Sequence, residues 1–232
     1  MDDDTGDTVH TRMCRSIRRR YDKPGRVFLG IVSRLDRETT GVLVLARTSK
    51  AASRLNPQYG GPGDHGKFPP AEKVYLAWLD GSPPDAEFVW EDRLLRDNRA
   101  RRMRVVRNPS EGAVAVTRGV VLVADAGRTL VALRIETGRK HQIRVQAAAR
   151  GHAVFGDEKY GRPKAGPMLL HSHWTQIVHP TRRDVMGFRA DPPSDWPLWT
   201  GSGAGHNRRV PRRDERIVTS LHLRTPVEIH AS

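Results

Sequence analysis

The stretch Ser33-Arg34-Leu35-Asp36-Arg37-Glu38-Thr39-Thr40-Gly41-Val42-Leu43-Val44-Leu45-Ala46 sets one aspartate between two arginines at the mouth of an apolar run. Phe28-Leu29-Gly30-Ile31-Val32 before it and Gly41 to Ala46 after it are short, aliphatic and rich in β-branched residues. Both read as buried strands, and the polar residues between them as a tight connection. Asp36 is then presented from a loop on a rigid base. Taken alone, an aspartate between arginines is an ordinary surface ion pair. What the rest of the chain sets against it decides otherwise.

Working outward, the segment from Lys73 to Leu79 alternates. Val74, Leu76 and Trp78 share one face of a strand, and Tyr75, Ala77 and Leu79 share the other. Residues 113–123 and 129–135 read as strands joined by Asp125-Ala126-Gly127, a good hairpin turn. From Lys140 to Arg150 the run of Ile143, Val145 and three alanines, free of Gly and Pro, reads as a helix stopped by Gly151. Two further strands are expected over Leu169 to Val178 and Asp184 to Phe188. The expected architecture is α+β: a mixed, mostly antiparallel sheet with flanking helices. Asn56 to Pro70 is dense in glycine and proline and is expected to form a loop rather than a helix or central strand. Residues 9–20 are expected to form a single helix.

Composition narrows the partner. The 232 residues include 40 Lys plus Arg against 26 acidic residues, a formal net charge of +14, which suits a protein that meets a polyanion. Nucleic acid leads. There is no long apolar segment, no signal-peptide core and no strongly apolar basic helix, so a membrane role is not expected. The lone cysteine, Cys14, forms no internal disulfide, and no Cys/His cluster has zinc spacing, which fits a reduced cytoplasmic protein. His171 and His173, alternate residues of one strand, are the nearest approach to a metal pair, and packing or hydrogen bonding is the expected role for both.

Several segments carry a resemblance. Ser33 to Thr48 resembles the catalytic motif H-R-L-D-x-x-T-S-G-[VIL]-[LI]-V-x-A-[KR]-T of the RluA-type RNA pseudouridine synthases. Lys73-Val74-Tyr75-Leu76-Ala77 is similar to the K-x-Y-x-A segment of that family, and Thr137-Gly138-Arg139-Lys140-His141-Gln142-Ile143-Arg144 to its T-G-R-x-H-Q-[IL]-R. Gly151 to Asp157 with Tyr160-Gly161 resembles its G-x-x-[IL]-x-G-D-x-x-Y-G, and Leu169-Leu170-His171-Ser172 with His179-Pro180 its closing L-H-[AS] and H-P. One such motif would mean little; five in the family's order, from Ser33 to Pro180, mean a great deal.

The resemblance implies the pseudouridine-synthase catalytic fold over residues 27–197, between a basic segment at 1–26 and a basic, disordered tail at 198–232. Relatives normally begin with a strand carrying N-K-P, often after an extra RNA-binding domain. Neither is visible here. A natural short form or a late start codon would account for this, and either leaves one sheet edge without its usual first strand. No internal repeat is evident.

The implied reaction breaks the C1′–N1 bond of a uridine, turns the bound uracil and rejoins it through C5. It requires no metal, redox centre or nucleotide cofactor. It does require a carboxylate at the sugar or base that serves as nucleophile or charge stabiliser and handles a proton. The resemblance places the family's aspartate on Asp36 and its counter-charge on Arg144, which offsets the cost of burying the carboxylate. Whether the aspartate attacks the sugar, attacks the base or drives elimination at C2′ stays open at this level. Tyr75 is expected to stack on the target base and to offer its hydroxyl as a general base. Arg34, Arg37, Lys73, Arg139 and Lys140 are expected along the RNA track, with rRNA favoured over tRNA and no obligate protein partner for a monomeric enzyme.

Three departures stand out. Ser33 replaces the opening histidine, Gln146 replaces the usual histidine two residues after Arg144, and Pro167-Met168 stand where relatives carry an arginine. The rival reading is an inactive RNA-binding protein on the same fold. Only one motif carboxylate is evident, which disfavours a general glycosidase.

Overall fold

Alternation along one strand organises the molecule. In the computed structural model, which describes residues 6–60, 68–125, 127–162 and 166–197, strand β4 runs from Glu72 to Asp80 at the centre of the main sheet. Val74, Leu76 and Trp78 enter a core on one face with Val120, Leu130, Phe155 and Trp196. Ala77 and Leu79, with Tyr75 beside them, enter a second core on the other face with Val131, Leu133, Ile143 and Ala147. A strand buried on both faces needs apolar residues at nearly every position, and this one has them.

In chain order the described elements are α1 (Val9–Arg20), β1 (Gly30–Ile31), β2 (Thr40–Gly41), β3 (Leu45–Ala46), α2 (Ser49–Tyr59), β4, β5 (Glu87–Asp97), β6 (Arg102–Val106), β7 (Ala113–Asp125), β8 (Arg128–Ile135), α3 (Gln142–Ala149), β9 (Leu170–Val178) and β10 (Val185–Arg189). The main sheet follows the order β10-β9-β4-β8-β7-β5-β6, antiparallel throughout, with β2 added parallel to β9. The mixed, mostly antiparallel α+β class read from the sequence is what the chain forms. Helix α3 packs its Ile143 and Ala147 on the Tyr75 face of the sheet.

One edge of β9 is shared by two elements. Strand β10 pairs with residues 174–178, while Thr40 and Gly41 of β2 pair with His171 and Ser172. Between these, the β4–β9 register slips: Val74 faces Trp174, but Tyr75 faces Ser172, so His173 is the extra residue of a bulge. The antiparallel pairing of β7 with β8, out to Asp125 and Arg128, the α3 helix and the Gly151 stop all occur where the sequence pattern puts them, Gly151 with φ of 80°. The helix expected over 9–20 is present, capped by Thr8, and hydrogen-bonds through His10 to the carbonyl of Leu29.

Two expectations are corrected. The apolar runs flanking Asp36 are not long buried strands: β1 and β3 are two residues each, pair only with one another, and leave Phe28 and Ile31 about half exposed. From these runs Val32, Val44 and Ala46 pack into a small separate core with Ala52 and Leu55 of α2. Helix α2 continues through Asn56-Pro57-Gln58-Tyr59, inside the stretch read as loop, because buried Gln58 ties its last turn to both the N–H and C=O of Val178. Those bonds outweigh the helix-breaking cost of Pro57. The long β5–β6 hairpin has no counterpart in the sequence reading, since its charged residues hide the alternation. The expected disordered tail at 198–232 lies outside the described residues.

Candidate active site

Asp36 sits in the turn between β1 and β2, where Thr39 N–H donates to the Asp36 carbonyl at 2.9 Å. The base of that turn is closed by Ser33, whose hydroxyl accepts from Val44 N–H at 2.9 Å. Serine in place of the family's histidine therefore serves as a local clasp. The exit is fixed by Gly41, at φ of 107°, where an added Cβ would fall 2.2 Å from the Ser172 carbonyl oxygen. Only glycine permits that approach. Thr40 completes the anchor by hydrogen bonding to His171 Nδ1 at 2.8 Å. The loop thus hangs from β9 directly across from Tyr75.

Arg144 meets Asp36 from the first turn of α3. Its Nη1 donates to Asp36 Oδ2 at 2.9 Å, while Nε and Nη2 form a two-pronged pair with Asp157 at 2.7 and 2.8 Å. One guanidinium therefore bridges two carboxylates, one of them fully buried. Burial opposes the charge of Arg144, but hydrogen bonds to Asp157 and then Asp36 outweigh it and raise its pKa. Asp157 is itself held by the N–H groups of Lys159 and Tyr160. The fork geometry fixes the arginine in one plane, and the arginine fixes the aspartate.

The other expected residues are distributed as follows. Tyr75 is half-buried between these groups; burial first, and then the neighbouring Asp36 charge, push its hydroxyl up to about 12, against a hydrogen bond to Ser172. It is a neutral phenol at ordinary pH. A general base works best with a pKa near the operating pH, so this environment does not suit the base role expected for it. Arg34, Arg37 and Lys140 are exposed. Arg139 spends Nε on the Val114 carbonyl at 3.0 Å. Lys73 is not on the surface: it is 8% exposed, lies over the Tyr59 ring at 5.7 Å and is lowered to about 8 by desolvation. His171 and His173 both hydrogen-bond to the Ala190 carbonyl, so the two imidazoles serve to tie β9 to the segment after β10.

Sequence reasoning assigned no role to three residues that the fold gathers here. Asp157 and Tyr160 stand in a quoted motif, and that motif's own carboxylate was the available signal; only its burial, which demands a cation, distinguishes it from the neighbouring Glu158. His141 is the third. Its left-handed backbone, φ 53° and ψ 25°, turns the imidazole so that Nε2 lies 3.7 Å from Asp36 Oδ1 and Nδ1 lies 2.6 Å from the Tyr160 hydroxyl. Burial, ahead of the opposing Asp36 charge, lowers its pKa. Behind the site, Gln142 and Gln146 are completely buried and fully hydrogen-bonded. Gln142 joins Thr137, Thr117 and the Val116 carbonyl, and Gln146 joins Thr117, Asp92 and the carbonyls of Trp90 and Ala115. Glutamine in place of the family's histidine at 146 locks α3 to β5 and β7.

The family model described as RNA pseudouridylate synthase matches residues 2–149. The chain is 31% identical over 180 residues to ribosomal large subunit pseudouridine synthase D of Zymomonas mobilis, covering 73% of this chain and 54% of that one. It is 36% identical over 159 residues to an uncharacterized RNA pseudouridine synthase of the same organism, covering 67% and 69%, and 33% over 172 residues to one of Bacillus subtilis, covering 73% and 58%. The chain spans about half the length of the synthase D relative and somewhat more of the other two. Human RNA pseudouridylate synthase domain containing 1 shares the fold with a TM-score of 0.65 at 23% identity, covering 96% of this chain and 87% of that one. The chain belongs to the RNA pseudouridine synthase family, and within it to the RluA type.

Proposed function

We propose that this protein isomerises specific uridines of a structured RNA to pseudouridine, with Asp36 acting at the target nucleotide and ribosomal RNA preferred over transfer RNA. The observation that carries this reading is the Asp36–Arg144–Asp157 bridge, which assembles a positioned carboxylate from three of the family's motifs. The names of the ribosomal large subunit relatives support the choice of RNA. Residues 27–197 are the catalytic unit, with α1 docked on it.

The chemistry follows from who holds what. Arg144 occupies Oδ2, which leaves Oδ1, with His141 Nε2 3.7 Å away, as the oxygen for the nucleotide. Tyr75, neutral, offers a ring for the flipped uracil and a hydroxyl that donates rather than accepts a proton. Proton handling at C5 falls to Asp36. Extruding a base from structured RNA costs a few kcal/mol, which stacking on Tyr75 and phosphate contacts from Arg34, Arg37, Arg139 and Lys140 offset. Lys73 reaches the nucleotide from beneath, and an approaching phosphate would restore the charge that burial weakens.

Asp36→Asn tests the reading. Tritium release from RNA labelled at uridine C5 should vanish, while RNA affinity stays within about threefold, because affinity comes mainly from phosphate contacts. Near-normal release by this variant would sink the assignment. Absence of release by the wild-type chain on ribosomal and transfer RNA from a strain lacking the gene would favour the inactive RNA-binding reading.

A further inference from the structure

The hydrogen-bond chain behind His141 determines which of its nitrogens carries the proton. The Met103 backbone N–H donates to the Tyr160 oxygen at 2.9 Å. That contact turns the tyrosine's own proton toward its other close neighbour, His141 Nδ1, at 2.6 Å. A neutral imidazole that accepts at Nδ1 must carry its hydrogen on Nε2. Nε2 is the atom that faces Asp36 Oδ1 at 3.7 Å. The reverse tautomer would point a lone pair at a carboxylate oxygen. Two independent contacts, one at each nitrogen, thus select the same state.

We propose that His141 is a positioning residue for Asp36: its Nε2–H, fixed by Tyr160, closes on Oδ1 when the nucleotide enters, so that Arg144 and His141 grip the carboxylate from opposite oxygens. The proposal rests on the reading of Asp36 given above. The gap of 3.7 Å is longer than a hydrogen bond, and such contacts tighten when substrate excludes water. The backbone supports the assignment. Residue 141 occupies the left-handed region, uncommon for a residue with a Cβ, and strain of this kind persists where a side chain must be aimed. The groups around the ring are Asp36, Arg144, Lys140 and Lys159, and Asp36 is the acceptor among them. Strand β6, which supplies Met103, gains a role in this arrangement: it anchors Tyr160, which also lies under the Arg144 guanidinium at 5.2 Å.

Two substitutions separate aim from bulk. In His141→Gln the side-chain amide can reach the Nε2 position and donate to Asp36. In His141→Asn the amide matches only the Nδ1 end, although asparagine tolerates the left-handed backbone better. We expect kcat to fall about 100-fold in His141→Asn with KM within threefold, and His141→Gln to recover to within about tenfold of wild type. Tyr160→Phe keeps the ring under Arg144 and removes the hydroxyl. It should lower kcat about tenfold in the wild-type background and not at all in His141→Asn, the non-additivity of two residues acting through one contact. Thermal stability is measured alongside, so that a loss of fold is not read as a loss of aim. Equal rates for the Asn and Gln variants, or a Tyr160→Phe effect of the same size in both backgrounds, overturn the proposal. If Asp36→Asn is inactive while these outcomes occur, the role of His141 alone fails; if Asp36→Asn is active, the reading of the site fails with it.

Discussion

The Asp36 loop and the α3 entrance meet at the Asp36 carboxylate, which Arg144 and His141 both approach, yet are built on opposite principles. The loop is held by backbone: two-residue strands, a serine clasp and a glycine pressed on β9, with Arg34 and Arg37 exposed on either side of the acid. The α3 entrance is held by side chains: Gln142, Arg144 and Gln146 are buried and hydrogen-bonded to two strands, β5 and β7, and to Asp157. A loop can be shaped to a substrate because little else depends on it. A buried polar network cannot be altered at one member without stranding the others. Damage on the α3 side should therefore register as lost stability, and damage on the loop side as lost turnover or binding.

Arg144→Met gives the largest expected effect. It strands Asp157 in the interior and Asp36 at the pocket, which should cost about 3–5 kcal/mol and lower Tm by about 10 °C in a chain of this size. Turnover should vanish as well. A variant inactive but fully stable would break the contrast, since it would make the pair purely catalytic.

Acid should act next, through His173 on β9, the strand from which the Asp36 loop hangs. His173 has an unfolded value near 6.5 and is lowered to about 4 in the fold, chiefly by burial. Between those values the unfolded chain binds a proton that the folded chain refuses. From His173, stability should be flat between pH 6.5 and 7 and fall by about 3 kcal/mol on the way to pH 4. Urea midpoints at pH 7, 5 and 4 measure the slope, and His173→Leu should flatten it, leaving the shares due to His171 and His141.

Gly41→Ala sharpens the comparison from the loop side. A Cβ 2.2 Å from the Ser172 carbonyl, at φ of 107°, forces β2 from β9. We expect about 2 kcal/mol of destabilisation but a disproportionate loss of kcat, because Asp36 moves while α3 does not. The double variant Arg34→Ala/Arg37→Ala should be smallest in stability, with Tm unchanged. Its effect is on binding: KM for RNA rises about tenfold at low salt, and the log–log salt slope shrinks by about 2 units. An unchanged slope would remove both arginines from the RNA track.

Legibility followed the range of the forces involved. Strand β4 was readable residue by residue, because burial on both faces writes itself into a nearly unbroken apolar run, whose odd and even members divide between the two faces. The α3 helix and its glycine stop were equally local. The β5–β6 hairpin was hidden by residues such as Glu87, Glu91, Arg93 and Arg102, whose long polar side chains mask a half-buried strand. Helix α2 overran its apparent end because two hydrogen bonds from Gln58 reach a strand about 120 residues away.

The candidate site divides along the same line. The ordered motifs in the sequence were enough to mark Asp36, Tyr75 and Arg144 as a group and to place the chain in its family. Which oxygen of Asp36 is free, why Arg144 needs Asp157, and which nitrogen of His141 bears the proton were decided only when separate segments met in three dimensions. Lys73 shows the difference most directly: as a residue type it is a surface cation, and in the fold it is a buried amine over the Tyr59 ring with its pKa lowered to about 8 by desolvation. Residue type and spacing are properties of the chain. Desolvation and pairing depend on what the fold brings within a few ångströms, and for a charged side chain they outweigh its intrinsic chemistry.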